Sequence, residues 1–199
     1  MELILIRHGE SEGNVKGLVY GHTDYPMTEK GLRQVPMIVG ITQRYTIDKV
    51  YSSPLIRAKV IAEAISQDRN VSFSLDDRLK ELNFGDYEDM KREKVVELVG
   101  DKYYDVIGFF DHVDIPGGEH QDDFLSRVNS FVDELLAGED GTYVIASHFG
   151  VIKAMLHHLM GYDKKGLRQL AIKPGAVIKL TIKKDRVRMD ELIQTMDQV

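Results

Sequence analysis

Short runs of consecutive apolar residues alternate along the chain with longer segments in which apolar residues recur every three or four positions. The clearest runs are residues 3–6 and 142–147, each of which ends at a polar cluster. Such runs predict strands that are buried on both faces of a parallel sheet, and the helical spacing between them predicts covering helices. We therefore expect a three-layer α/β/α sandwich with a mainly parallel central sheet.

The other elements follow from the same pattern. Thr28 is a favourable N-cap for a helix in which Pro36 predicts a kink, and the polar, glycine-punctuated segment 11–17 predicts a loop. Further strands are expected over residues 48–52 and 71–75, helices over 55–65, 91–99, 122–136 and 149–160, and closing strands over 176–182 and 187–192.

Composition narrows the class of protein. The 199 residues are 43% hydrophobic and 29% charged with a net charge of −6, which predicts a single domain over 1–199 and argues against nucleic-acid binding. No apolar run is long enough for a membrane span, and Glu2 and Arg7 do not fit a signal peptide, so we expect a cytoplasmic protein. The chain contains no cysteine, which excludes disulfides and thiolate metal sites.

Basic residues stand where predicted strands end. The first strand runs into Arg7 and His8, and His148 repeats that geometry after the strand over 142–147. Arg57 falls in the first turn of a helix that follows a strand, a position that favours anions. Ligands bind at the carboxyl ends of strands in such sheets. A guanidinium there can bind the oxygens of an oxyanion such as phosphate, and a neighbouring imidazole can attack its central atom. The pattern indicates phosphate chemistry.

Five motifs follow one another along the chain: Arg7-His8-Gly9-Glu10, Ser52-Ser53-Pro54-Leu55-Ile56-Arg57-Ala58, Glu81-Leu82-Asn83-Phe84-Gly85-Asp86-Tyr87-Glu88-Asp89, Pro116-Gly117-Gly118-Glu119 and Ser147-His148-Phe149-Gly150-Val151. In this order they resemble the motifs of the histidine phosphatase superfamily, the phosphoglycerate mutase-like group, in its branch with an Arg-His-Gly motif. The similarity covers nearly the whole chain and is closest to small bacterial phosphatases of the group. The resemblance implies a phosphoglycerate mutase-like fold and a phosphomonoester hydrolase.

The resemblance also implies roles for five catalytic residues. His8 would be the nucleophile that forms phosphohistidine, and Glu81 would protonate the leaving alcohol and then activate water. Arg7 and Arg57 would neutralise the phosphoryl oxygens, and His148, protonated when phosphate is bound, would donate a further hydrogen bond. Neither a metal nor another cofactor is expected, because the arginines supply the positive charge.

Three further residues complete the phosphate- and substrate-binding set that the resemblance implies: Asn14, Gly21 and Phe149, the last through its main-chain N–H. The sequence departs from the usual family pattern at six positions. These are Tyr20 in place of glutamine, Ile61 of threonine, Tyr87 of tryptophan, Asp89 of glycine, His120 of serine and Phe149 of glycine.

The region around residues 88–120 is the least family-like and is predicted to be a helical, lid-like insertion. From Asp101 to Asp123 it carries seven acidic residues and one basic residue, Lys102. Loops on a rigid scaffold commonly carry specificity. The expected partner is thus a small, modestly charged organic phosphate, and the oligomeric state stays open, with a homodimer as one alternative.

Other interpretations stay open at this point. Gly9-Glu10-Ser11-Glu12-Gly13 satisfies the G-x-S-x-G pattern of an esterase, in which Ser11 would be the nucleophile and would act with a downstream aspartate and His148. That pattern normally follows several strands, whereas one precedes it here, and it leaves the arginines unexplained. A phosphoglycerate mutase-type transferase and a non-catalytic phosphate-binding protein are the alternatives within the family. His157 and His158 are interpreted as a surface pair in preference to a metal site.

Overall fold

A computed structural model of the chain describes residues 1–103, 114–184 and 186–195. Its sheet contains six strands. They are β1 (Glu2–Arg7), β2 (Lys49–Ser52), β3 (Ser72–Leu75), β4 (Thr142–Ser147), β5 (Val177–Lys183) and β6 (Arg186–Ile193). The helices are α1 (Glu12–Val15), α2 (Glu29–Thr42), α3 (Ile56–Arg69), α4 (Arg92–Val99), α5 (Gln121–Leu136), α6 (Phe149–Met160) and α7 (Lys164–Gln169), with 3₁₀ turns at Asp77–Leu79, Gly85–Tyr87 and Gly100–Lys102.

The strands are arranged in the order β3-β2-β4-β1-β5-β6. The first four in this order pair in parallel, whereas β5 pairs antiparallel with both β1 and β6. The prediction of a mainly parallel sheet is confirmed, and the closing strands form an antiparallel hairpin at one edge. Since β1 lies inside the sheet, both of its edges are hydrogen-bonded and both of its faces are covered.

Two apolar clusters, one on each face of the sheet, make the three layers. Along β1, Leu3 and Leu5 pack into the cluster that contains α5 and α6, while Ile4 and Ile6 pack with residues of α2 and α3. This alternation follows from the two-residue period of a strand. All four side chains have 0% exposure, which explains why this strand is an uninterrupted apolar run.

Local capping determines where several helices begin. The Thr28 side chain accepts a hydrogen bond from the Gly31 N–H, as predicted, and α2 continues through Pro36. The expected loop over residues 11–17 instead contains the four-residue helix α1, because Ser11 and Asn14 form a capping box. At α3, Asp24 Oδ1 accepts from the Ile56 N–H at 2.8 Å and so caps that helix from a distant loop.

The structure describes only part of the region predicted to be a lid-like insertion, which stays a prediction. Helix α4 is present, and an isolated bridge between Leu18 and Lys91 attaches its start to the loop after α1. Residues 104–113, the aromatic part of the predicted lid, lie outside the described residues. Among the residues that the structure describes, no helix is long and apolar enough to cross a membrane. A single domain over 1–199 stays a prediction.

Candidate active site

A pocket with a cavity volume of about 260 Å³ opens at the carboxyl end of β1. It brings together residues that are far apart in the sequence, including six of the eight predicted site residues: Arg7, His8, Asn14, Arg57, Glu81 and Phe149. The remaining lining residues are Leu18, Val19, Tyr20, Phe84, Arg92 and Tyr103.

His8 lines this pocket and is buried, with 4% exposure. Its Nδ1 lies 2.7 Å from the carbonyl oxygen of Gly9. A carbonyl can only accept, so Nδ1 carries the proton and the neutral ring keeps its lone pair on Nε2. Burial and then the charges of Arg57 and Arg7 hold the pKa of His8 well below its usual value. The ring is therefore an uncharged nucleophile or acceptor at neutral pH.

The two arginine side chains are held by main-chain carbonyls. Arg7 donates from Nη1 to the Ile172 carbonyl at 2.5 Å, and Arg57 donates to the carbonyls of Thr23 at 3.1 Å and Gly21 at 2.6 Å. Burial lowers the pKa of Arg7 to about 10 and also lowers that of Arg57, yet both guanidinium groups stay charged at neutral pH. Two fixed cations thus lie beside His8.

The loop that supplies the two carbonyls for Arg57 is organised by the Glu88 carboxylate. It accepts main-chain N–H groups from Gly21 at 2.8 Å and from His22, Thr23 and Phe84 at 3.0 Å each, and the Thr23 hydroxyl at 2.7 Å. Burial opposes the charge, but these hydrogen bonds together lower the pKa of Glu88. Glu88 therefore fixes the loop that holds Arg57.

Gly21, which the resemblance assigns to the substrate-binding set, is not among the residues that line this pocket. Its N–H is bound by Glu88, its carbonyl accepts from Arg57, and a Cβ there would lie 1.6 Å from the Leu82 carbonyl oxygen. Only glycine allows so close an approach of two backbone segments. Gly21 therefore supports the arginine, and its backbone groups are already occupied within the protein.

His148 lies beside His8, with 5.3 Å between the ring centroids. Its Nε2 is 2.8 Å from the Ser53 hydroxyl, which also accepts the Leu55 N–H at 3.3 Å. That hydroxyl can donate to Nε2, and in this tautomer Nδ1–H is a donor. Burial and then the charge of Arg57 lower the pKa of His148 well below its usual value. The ring is consequently neutral in the absence of an anion.

The residues around the pocket carry hydrogen-bond donors that the protein itself does not use. Within the described residues, four buried side-chain nitrogen or oxygen atoms lack a partner, and three of them are Arg7 Nε, Arg57 Nε and His148 Nδ1. Buried polar groups are rarely left unpaired. Three nitrogen atoms of this kind on two cations and an imidazole form an arrangement suited to an anion with several oxygens.

Glu81 is buried with 7% exposure and lines the same pocket. Its carboxylate accepts the N–H groups of Leu82 at 3.1 Å and Gly150 at 3.0 Å. Burial raises the pKa of Glu81, and this outweighs those hydrogen bonds and the charges of Arg57 and Arg7. A carboxyl group with a raised pKa can be present as the acid and can donate a proton.

The main chain around Glu81 is clamped by Arg127 on α5. This guanidinium forms a bidentate ion pair with Glu119 at 2.6 and 2.8 Å. It also donates to the carbonyls of Arg78 and Lys80 at 2.7 Å each and of Glu81 at 3.0 Å. The Glu81 backbone is thus fixed to a helix that packs on the sheet.

Comparison with known proteins agrees with this geometry. The model of the histidine phosphatase superfamily (branch 1) matches residues 3–195. The chain belongs to this superfamily. A phosphoserine phosphatase 1 of Hydrogenobacter thermophilus is 31% identical over 164 residues, which are 82% of this chain and 78% of that protein. An adenosylcobalamin/α-ribazole phosphatase of Salmonella typhimurium is 30% identical over 176 residues, 88% and 87% of the two chains.

The fold agrees as well. The crystal structure of the α-ribazole phosphatase from Shigella flexneri superimposes with a TM-score of 0.83 at 26% identity, covering 99% of this chain and 100% of that one. The phosphoglycerate mutase-like fold is therefore confirmed, and this histidine phosphatase is an enzyme that hydrolyses phosphate esters.

The geometry argues against the alternative sites. The Ser11 hydroxyl contacts Tyr20 and Asn14, whereas His148 contacts Ser53, so the expected esterase pair is not formed. The side chain of His158 pairs with Asp133 at 2.6 Å, while His157 contacts the Tyr162 carbonyl. In residues 1–103, 114–184 and 186–195, no group of three or more potential metal ligands is assembled.

Several residues of this histidine phosphatase site were not assigned from the sequence. Glu88 belongs to one of the family-like motifs, but the neighbouring sequence does not indicate its role, since most of its hydrogen-bond partners come from another loop. The same holds for Ser53, which contacts His148, and for Arg127, which binds the Glu81 carbonyl, because each of these partners is 46 or more positions away. Phe149 adds a side-chain contact to the expected main-chain group, because the Arg7 guanidinium carbon lies 4.9 Å from its ring centroid.

Proposed function

We propose that this enzyme hydrolyses small organic phosphomonoesters through a phosphohistidine formed on His8. The observation that carries the proposal is the hydrogen bond between His8 Nδ1 and the Gly9 carbonyl, which leaves the Nε2 lone pair for attack on phosphorus. Two guanidinium groups beside the same pocket would balance the charge of the phosphoryl oxygens.

In the first step, Nε2 forms a bond to phosphorus while the bond between phosphorus and the ester oxygen breaks. The departing alkoxide takes the proton of the Glu81 carboxyl group, whose raised pKa favours the acid form. In the second step, Glu81 accepts a proton from water, the water oxygen attacks phosphorus and the bond to Nε2 breaks. Inorganic phosphate leaves, and His8 is again neutral.

His148 and Asn14 would contact the phosphoryl oxygens during both steps. His148 is neutral without an anion, but a bound phosphate would favour its protonation, because the charges attract each other across a short distance. Asn14 lines the pocket beside His8. The main-chain N–H of Phe149 is the remaining donor that the family resemblance proposes, and no metal or cofactor takes part in this scheme.

The organic part of the substrate would lie against a mainly apolar wall. Leu18, Val19, Phe84, Tyr103 and Phe149 line the pocket beyond the phosphate residues, and Arg92 adds one positive charge. This composition supports a modestly charged ester. Phosphoserine and α-ribazole phosphate, for which the two relatives are named, are the first compounds to assay. A cytoplasmic location and a homodimer stay predictions.

The nucleophile can be tested with nitrophenyl phosphate as substrate. Replacing His8 by alanine should lower kcat by about 10⁴-fold or more, the scale of losing a covalent nucleophile. The Ser11→Ala variant should keep most of its kcat at saturating substrate. His158→Ala, which removes an imidazole bound to Asp133 outside the pocket, is the matched control. A labelled phosphoenzyme, stable to base and labile to acid, should be trapped in the wild type and absent in His8→Ala.

Three results would contradict the proposal. Near-normal turnover by His8→Ala would exclude the nucleophile, and loss of turnover only in Ser11→Ala, with cleavage of carboxylic esters, would favour the esterase. Efficient transfer of the labelled phosphate to an added phosphoglycerate, in preference to water, would make the enzyme a mutase.

A further inference from the structure

Three side chains beside the pocket form a hydrogen-bonded chain. The Ser11 hydroxyl lies 2.5 Å from the Tyr20 hydroxyl and 3.0 Å from Asn14 Oδ1, and the Ser11 N–H donates to the same Oδ1 at 3.1 Å. Ser11 has 0% exposure. This serine belongs to the G-x-S-x-G pattern, for which the hydrolytic mechanism gives no role.

The direction of each hydrogen bond in this chain follows from the groups present. A main-chain N–H only donates, so the Asn14 atom that it contacts must be the amide oxygen, and the amide NH₂ faces away from Ser11. The Ser11 hydroxyl proton then also goes to this oxygen. The Ser11 oxygen must therefore accept from Tyr20. Burial raises the pKa of Tyr20, which keeps its phenol in the donating form.

The ring of Tyr20 contacts Arg57, a second residue of the proposed phosphate site. Its centroid lies 4.9 Å from the guanidinium carbon of Arg57, within the range of a cation–π contact. It also packs closely on α1, where a Cβ at Gly13 would lie 2.6 Å from the Tyr20 ring. One side chain thus contacts Arg57 directly and Asn14 through a serine.

We propose that Tyr20 is a positioning residue of the phosphate site, which aligns the Asn14 amide through Ser11 and supports Arg57 with its ring. This inference rests on the proposed function, because Asn14 and Arg57 are taken to bind the phosphoryl group. Glutamine, the usual residue at this position in the family, has no aromatic face for the guanidinium. Ser11 is then a relay between Tyr20 and Asn14, not a nucleophile.

The test is the equilibrium binding of inorganic phosphate, measured by calorimetry. Tyr20→Phe removes the phenol hydroxyl and keeps the ring, and Ser11→Ala removes the relay. Each should weaken phosphate binding by about 3- to 10-fold, the usual effect of one lost hydrogen bond. The double variant should lose little more than either single variant, since both break the same chain. Tyr25→Phe is the matched control, because Tyr25 packs edge-on against Tyr20 at 5.5 Å.

Steady-state kinetics add a measurement that a purely structural role would not change. Asn14 should bind substrate and transition state alike, so Tyr20→Phe should raise KM and leave kcat nearly unchanged. Tyr20→Leu also removes the ring from Arg57 and should raise KM further. The thermal midpoint of Tyr20→Phe should stay close to that of the wild type.

Unchanged phosphate affinity in Tyr20→Phe, or additive losses of phosphate affinity in the double variant, would overturn the inference. The inference would also fail if the wild type bound no phosphate. If the wild type binds phosphate but turns over no ester, the proposed function fails, whereas the affinities of the variants still decide the role of Tyr20.

Discussion

The imidazole rings of His8 and His148 lie 5.3 Å apart and are inclined by 55°, although 140 positions separate them in the chain. They meet because β1 and β4 are neighbouring parallel strands with Arg7 paired to Ser147, so each histidine follows its strand at the same level. Equivalent placement does not give equivalent bonding. His8 donates from Nδ1 to a carbonyl, whereas His148 contacts a hydroxyl through Nε2.

The first prediction concerns Glu81 as the proton donor. An alkyl alcohol leaves as a strongly basic alkoxide and needs a proton, whereas nitrophenolate leaves without one. Glu81→Gln should therefore slow hydrolysis of alkyl phosphates by about 10²- to 10⁴-fold, the usual scale of general acid catalysis, and that of nitrophenyl phosphate less. Phosphoenzyme should accumulate with the nitrophenyl ester, because the water step lacks its base.

The control is Glu93→Gln, a change of the same chemistry at an exposed position on α4. Parallel kinetics on both esters, together with quenched-flow detection of phosphoenzyme, make the measurement. Equal losses on the two esters without a trapped intermediate would remove Glu81 from this role.

The second prediction concerns pH. Burial, followed by the charges of Arg57 and Arg7, lowers the pKa of His8, so its neutral form persists as the pH falls below 6.5. Burial raises the pKa of Glu81, so its acid form persists above pH 4.5. The kcat/KM for an alkyl phosphate should consequently be highest on the acid side and fall as the pH rises through the raised pKa of Glu81.

The kcat/KM for an alkyl phosphate should be measured from pH 5 to 9 for the wild type and for Glu81→Gln. Ionisation of the substrate affects both proteins equally and cancels when the wild-type kcat/KM is divided by that of the variant. This ratio should decrease towards high pH, because only the wild type loses its acid. A ratio that is constant over the whole range would contradict the assignment of the alkaline limb to Glu81.

The third prediction concerns Glu88. In Glu88→Gln an amide NH₂ replaces one carboxylate oxygen and faces N–H donors of the loop that holds Arg57. The free energy of unfolding should fall by about 2–3 kcal/mol at pH 7, the range for hydrogen bonds to a charged group. KM should also rise, since Arg57 loses its support.

The pH dependence of this effect has a definite sign. The pKa of Glu88 is lowered in the folded protein, so its contribution is present above the unfolded value, near 4.5, and is lost as the pH falls through the folded value. Urea unfolding of the wild type and Glu88→Gln should show a stability difference at pH 7 that shrinks below pH 4.5. A difference that grows on acidification would refute the explanation.

The fourth prediction concerns Arg127. Arg127→Met removes the bidentate pair with Glu119 and three hydrogen bonds to carbonyls around Glu81. Urea unfolding should show a loss of about 2–4 kcal/mol, because charged hydrogen bonds in a partly buried site are broken and Glu119 is left unpaired. Hydrolysis of alkyl phosphates should suffer more than that of nitrophenyl phosphate, since Glu81 is displaced.

Lys94→Met is the matched control for this change. Lys94 and Glu97 form an ion pair at 2.9 Å on α4, with side chains that are 60% and 66% exposed, and an exposed pair contributes below about 1 kcal/mol. If Arg127→Met lowered the free energy of unfolding no more than Lys94→Met does, the contacts of Arg127 with the Glu81 segment would not stabilise the protein.

The sequence by itself determined the elements whose signal is local. A run of four apolar residues in β1 requires burial on both faces, and Thr28 can satisfy the free N–H groups at the start of α2. The order of the family motifs could also be recognised in the sequence, because each motif lies within a few consecutive residues. These features were sufficient to predict the superfamily and the α/β/α fold.

The tertiary structure alone decided which groups meet. Glu88 organises residues 21–23 from 65 or more positions away, and Arg127 holds the Glu81 carbonyl from a helix on another part of the sheet. The loop predicted over residues 11–17 forms α1, and Tyr20 reaches both Ser11 and Arg57. A hydrogen bond requires its two atoms to lie within about 3 Å of each other, and between distant segments that distance depends on strand order and packing, which no local pattern of residues specifies.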